Sequence, residues 1–231
     1  TIAAEAFRDH TTLKKVLLPN TIIEIEDMAF EGCSSLASII LPNGTKYVGS
    51  YAFADCTSLE SAFIPKSVTE ISNSAFVTHS DGLVVSSTAD SYAAHFAMEQ
   101  NILFCDPAMF TYATTDGYIT ITKYLGNLPN VVIPAVIDGY PVVAVGDAAF
   151  QSNDALQKVI FPRSLKSIGD SAFYACNSLF DVQLPGELSE IGESAFSYTD
   201  SLESIALPSS LNHLGVEAFS SSGLLSVLIP S

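Results

Sequence analysis

Four side chains with metal-ligand chemistry recur along the first half of the chain: His10, Cys33, Cys56 and His79, each 23 residues after the one before. Two thiolates and two imidazoles make up a donor set of tetrahedral zinc. In the second half the same slot reads Asn153, Cys176, Thr199 and Ser222, where only the cysteine is a metal ligand.

The constant interval limits what this column can do. A period in this range is the signature of a solenoid, in which equivalent positions lie on successive coils. Stacked strands are ~4.8 Å apart, so the two outer histidines are expected roughly 15 Å from each other. One ion with bonds of ~2.0–2.3 Å cannot reach both. The column is therefore expected to be a ladder of small polar groups that bond to turn backbone between coils, with no metal. A Cys33–Cys56 disulfide fits the usual Cα window of ~4.4–6.8 Å. However, equivalent side chains on neighbouring coils run parallel, and the slot also accepts His, Asn, Thr and Ser. Free, buried thiols are expected, and Cys105, outside the column, is expected to be buried as well.

Other routes to catalysis are missing from the sequence. It contains no G-x-S-x-G, P-loop, G-x-G-x-x-G or H-E-x-x-H motif. His95 and His213 belong to no set that supplies a nucleophile and an orienting acid. The acid pairs Glu24/Glu26 and Glu187/Glu190 read as solvated turn residues. Solenoid walls also lack the deep pocket that catalysis uses. The expectation is a non-catalytic protein without a cofactor.

The elements that position these residues follow from the repeat. Ala-Phe pairs end at Phe7, Phe30, Phe53 and Phe76, then at Phe150, Phe173, Phe196 and Phe219, at intervals of 23 within each set. The interval of 74 from Phe76 to Phe150 is not a multiple of that period, so the chain holds two arrays. Before each Phe lies an aliphatic residue (Ile25, Val48, Ile71, Val145, Ile168, Ile191 or Leu214), often followed by Gly. Then comes Asp27, Ser50, Asn73, Asp147 or Asp170, a type suited to capping a short helical turn. After each Phe, an alternating apolar stretch is stopped by Pro19, Pro42, Pro65, Pro162, Pro185 or Pro208, which reads as one short strand per repeat.

The pattern L-x-x-V-x-L-P followed by I-G-x-x-A-F-x-x-C resembles the BspA-like, Treponema-type leucine-rich repeats of bacterial surface proteins. The likeness covers about residues 1–106 and 130–231. It implies an α/β leucine-rich repeat solenoid with short parallel strands and short helical turns. Residues 86–104 are similar to the helix that often closes an array in this family, here over about 88–101. Asp90 or Ser91 can cap that helix, and Tyr92, Ala93, Phe96 and Ala97 share one face. Residues 110–140 resemble the hairpin and first strand that often open an array. Asp116-Gly117 suits the hairpin turn, with the hairpin over about 110–124. The expected division is 1–106 for the first array with its closing helix and 107–231 for the second.

Composition narrows the class of partner. Nearly half the residues are apolar and only 15% are charged, which argues against disorder. Residues 1–106 hold 13 acids against 5 Lys/Arg, and residues 107–231 hold 12 against 4. Neither half has the basic cluster that nucleic acid requires. No apolar run approaches the ~18 residues of a membrane span. The chain opens at Thr1 in the middle of a repeat, which suggests a piece of something longer. The second array carries no closing helix before Pro230-Ser231, so a neighbouring chain or further residues are expected to cover that edge, with end-to-end self-association as one way to do so.

Strand alternation selects a candidate binding face. With Leu18, Leu41, Ile64, Phe161, Leu184, Leu207 and Ile229 inward, the outward residues are Leu17, Ile40 and Phe63, then Ile160, Gln183, Ala206 and Leu228. Leu17, Ile40 and Phe63 would form a continuous apolar stripe beside Lys14, Lys15 and Glu60, and contiguous exposed apolar patches mark interaction sites. The resemblance implies a protein-binding module of a cell-surface or secreted bacterial protein. Adhesion to host matrix or plasma proteins, such as fibronectin or fibrinogen, or to other bacteria, would be its role. The alternative is a spacer or scaffold that presents another domain, for which a catalytic domain in the full reading frame would speak.

Overall fold

Proline sets the punctuation of every coil. It has no N–H with which to continue a ladder, and its carbonyl instead receives the N–H three residues on: Ile22 to Pro19, Thr45 to Pro42, Val68 to Pro65, Leu165 to Pro162, Leu188 to Pro185 and Leu211 to Pro208, at 2.9–3.1 Å. In the computed structural model, which describes residues 1–230, the expected strands lie just before these turns.

The chain divides into two compact units, Thr1–Pro107 and the residues from Ala108 on. In the first, Ser38–Ile40, Ser61–Phe63, Val84–Ser86 and Leu103–Cys105 form a parallel sheet in unbroken register. A bridge between Lys15 and Ser38 extends it by one coil. The sequence led us to expect one strand per repeat, but the structure has a second. Glu24–Ile25, Tyr47–Val48 and Glu70–Ile71 pair in parallel as a separate ladder, anchored by the aliphatic residue that precedes each turn and is buried in the core.

The Ala-Phe segments are hydrogen-bonded turns, not regular helix. Residues two before and two after Phe take left-handed φ in nearly every coil, among them Met28, Tyr51, Asp55, Ala148, Ser171, Ala175, Ser194 and Tyr198. Local bonds run from residue i to i−3, such as Ala29 to Glu26, Glu31 to Met28 and Cys33 to Phe30. The alternate N–H groups point along the solenoid axis and donate to the next coil. The Phe N–H reaches the following Ala carbonyl at 2.7–2.8 Å for Phe7, Phe30, Phe53, Phe150, Phe173 and Phe196. The acid expected to cap a helix also acts between coils: Asp27 Oδ1 accepts from Ser50 N–H, Asp147 from Asp170 and Asp170 from Glu193.

The Phe side chains stack through the core. Ring centroids of Phe7, Phe30, Phe53 and Phe76 follow each other at 5.1, 5.3 and 5.2 Å. The closing helix, Tyr92–Glu99, lays Phe96 on Phe76 at 5.9 Å. Ser91 caps it by accepting from Ala94 N–H, while Asp90 pairs with Lys66 instead. Ala93, Phe96 and Ala97 are buried as their spacing predicts, but Tyr92 is exposed, a correction to the expected face.

The second unit opens with the antiparallel hairpin Phe110–Thr115/Tyr118–Tyr124. Asp116 and Gly117 both have positive φ (52° and 80°), as a type I′ turn requires. Tyr118–Tyr124 then pairs in parallel with Tyr140–Val145, and Ser167–Ile168, Glu190–Ile191 and His213–Leu214 continue that sheet. Asn130–Val132, Lys158–Ile160 and Asp181–Gln183 form the companion ladder, and Ser204–Ala206 pairs with Ser226–Leu228. Leu228 and Ile229 are exposed; Ser231 lies outside the described residues. Among the described residues no helix is long and apolar enough to cross a membrane.

Candidate functional site

The cysteine column resolves into backbone contacts. Cys33 Sγ donates to Phe7 O at 3.1 Å, Cys56 to Phe30 O at 3.2 Å and Cys176 to Phe150 O at 3.1 Å, so each thiol reaches the preceding coil. Thr199 and Ser222 have shorter side chains and donate to the Phe carbonyl of their own coil, at 2.8 and 2.7 Å. Asn153 Nδ2 donates to Gly126 O at 3.3 Å. The four cysteines are free and buried. Burial pushes the Cys56 thiol up to about 12 and the Cys176 thiol up to about 11, and raises Cys33 and Cys105 too. The histidines at the ends of the column turn elsewhere. His10 lies against the Phe7 ring, and His79 Nδ1 is 2.7 Å from Ser80 O. Among the described residues no cluster of three or more His, Cys, Asp or Glu could hold a metal.

The strand face is built by register. Ile39 and Ala62 point inward and are fully buried, so their neighbours Ile40 and Phe63 face outward. Ile40 and Phe63 are direct partners across the parallel pair. The Lys15–Ser38 bridge places Leu17 level with Ile40 on the preceding coil. Leu17 is 80% exposed, whereas Ile40 and Phe63 are each partly covered. Beyond Phe63 the column continues into Ser86 and Cys105, both buried, so the accessible stripe ends at Phe63.

Polar groups flank the stripe. Lys14 and Lys15 are exposed beside Leu17. Glu60 is half-buried, its N–H donating to Ala37 O at 3.0 Å and its main-chain carbonyl accepting from Val84 N–H at 2.9 Å. In the second unit the equivalent column is Ile160, Gln183, Ala206 and Leu228. There Gln183 and Ala206 interrupt the apolar surface, and Lys158 and Asp181 form an ion pair at 2.6 Å on the neighbouring column.

The sequence profile of the BspA type leucine rich repeat region matches residues 1–91 and 123–231, with six copies. No curated protein matches the chain. Among solved structures, a leucine-rich repeat protein of Treponema pallidum is 33% identical over 52% of this chain and 69% of that one, with a TM-score of 0.47. A leucine-rich repeat protein from Bacteroides capillosus is 34% identical over 53% of this chain and 95% of that one, with a TM-score of 0.48. A leucine rich cell surface protein from Faecalibacterium prausnitzii is 26% identical over 98% of this chain and 62% of that one, with a TM-score of 0.45.

Proposed function

This chain belongs to the BspA-type leucine-rich repeat family, and from that premise we propose that it is the protein-binding part of a bacterial cell-surface or secreted adhesin. The observation that carries this reading is the column Leu17–Ile40–Phe63, where large apolar side chains face outward on adjacent coils. Contiguous exposed apolar surface commonly marks a contact site. The reading is non-catalytic. The thiols and hydroxyls that could act as nucleophiles in the repeat column are spent on Phe carbonyls inside the ladder.

Magnitudes set the mode of binding. Covering three fully exposed side chains of this size would give roughly 5–8 kcal/mol, and the partial cover of Ile40 and Phe63 lowers that figure. Association itself costs ~4–15 kcal/mol. One copy therefore binds weakly and needs Lys14, Lys15 and Glu60 at the rim to orient a partner. Many copies on one surface raise the overall avidity. The partner class is protein, with matrix and plasma proteins such as fibronectin and fibrinogen as the first candidates. The experiment is binding of the chain to these immobilised proteins, parent against the Ile40→Asp/Phe63→Asp double variant.

A further inference from the structure

The ladder of the first unit ends in donors that nothing accepts. In each earlier coil the N–H groups of Phe and of the residue two beyond it are taken up by the next coil. Phe53 donates to Ala75 O at 2.8 Å and Asp55 to Val77 O at 3.1 Å, as Phe30 and Gly32 do to Ala52 and Ala54. The fourth coil is followed by the closing helix, which offers no equivalent carbonyls. Among the described residues no atom accepts from the main-chain N–H of Phe76 or Thr78. Thr78 is exposed, so water can meet its N–H, whereas Phe76 is buried. A donor left unmet away from water is costly, so the Phe76 end of this edge favours an acceptor.

A cavity lies at that edge. Its volume is about 190 Å³, and its lining includes Asn73, Phe76, Thr78, His79, Phe96 and Gln100. Phe76 and Phe96 give it an apolar floor, and Asn73, Thr78, His79 and Gln100 add polar side chains to the lining. A water molecule's share of liquid volume is ~30 Å³, so the space is worth roughly six waters. That admits a short segment with small side chains and is too little for ligands that need ~300–1,000 Å³.

The charge around the cavity selects among acceptors. Parallel main-chain donors can cradle an anion, but Gln100 is the C-cap of the closing helix, whose terminus carries partial negative charge. The chain also has a formal charge of −16. A neutral carbonyl meets both donors without that repulsion. We propose that this cavity is a peptide site, which takes an extended segment of a partner protein by two main-chain carbonyls. Their two-residue spacing repeats that of the Ala75 and Val77 oxygens, which accept from Phe53 and Asp55 of the preceding coil, and a small apolar side chain rests over Phe76 and Phe96. The site shares no residue with the Leu17–Ile40–Phe63 stripe and stands or falls separately from it.

The test is an NMR titration of the isotope-labelled chain with N-acetyl-alanyl-alanine methylamide, whose first and last carbonyls have the required spacing, and in parallel with acetate. Saturable shifts of the Phe76 and Thr78 amides by the peptide are expected. Filling the cavity with Gln100→Phe should weaken binding about tenfold or more, while Ile40→Asp/Phe63→Asp should leave it unchanged. No saturable shift at these amides in the parent overturns the proposal, whether or not Gln100→Phe folds. Shifts with acetate alone would mark an anion site and also overturn it, as would undiminished peptide affinity in a folded Gln100→Phe variant.

Discussion

Tyr124 stacks on Phe150 with ring centroids 5.1 Å apart, and its main-chain N–H donates to Ala149 O at 2.9 Å. That is the bond that Phe7, Phe30, Phe53, Phe150, Phe173 and Phe196 make to the Ala of the next coil. The last residue of the opening hairpin therefore fills the Phe slot of a coil that is not itself a repeat. From it the second stack runs through Phe150, Phe173, Phe196 and Phe219.

The interior rings are the main test of the architecture. Phe53 and Phe173 are fully buried between stacked neighbours, and rigid coils cannot collapse into the space a ring leaves. Phe53→Ala and Phe173→Ala should each cost ~3–5 kcal/mol, read from urea unfolding midpoints. A loss below ~1 kcal/mol in either would mean that the stack does not hold the coils together.

Left-handed turn positions offer the opposite effect. Ala148 and Ala175 have φ of 53° and 56°, which costs a side-chain-bearing residue ~1–2 kcal/mol. Glycine removes that penalty, offset by ~0.4–1 kcal/mol of added freedom in the unfolded chain. Ala148→Gly and Ala175→Gly should therefore stabilise by about 0.5–1 kcal/mol. Ala172→Gly, at a buried position outside the left-handed set, should destabilise. Equal loss in all three would contradict the turn geometry.

The buried thiols give a pH dependence with a fixed sign. Cys56 is held up to about 12 and Cys176 up to about 11 by burial, against ~8.5 for an unfolded thiol. Between those values the unfolded chain has lost protons that the native chain keeps. Stability is then fully present below the unfolded value and falls as pH rises above it, by ~1.4 kcal/mol per pH unit for each thiol. Between pH ~8 and ~10 the parent should lose more stability than the Cys56→Ser/Cys176→Ser variant. Parallel losses would show that the thiols do not titrate this way.

Much of this was legible in the sequence because a solenoid writes its core at a fixed interval. Phe30 and Phe173 declare the stack, and Pro42 or Pro185 declares where each strand stops. Tyr124 was not legible: it stands 26 residues before Phe150, out of period, and only the hairpin's register brings it into line. The second ladder is not legible because its strands, such as Tyr47–Val48, are two residues long and show no alternation. Asp27 has the residue type of a helix cap, yet its carboxylate accepts from Ser50 N–H one coil away. The cavity at Phe76 depends on where Gln100 lands after a helix, which no local pattern encodes.

The claim that the strand face binds protein is tested most directly by surface binding kinetics. The parent and the Ile40→Asp/Phe63→Asp variant would be passed over immobilised fibronectin and fibrinogen, with circular dichroism confirming that both are folded. The account predicts weak, saturable binding of the parent to at least one of these proteins, lost in the variant and recovered in avidity when the parent is displayed in many copies. Binding by a folded variant as strong as the parent's, or no binding by the multivalent parent, would contradict it.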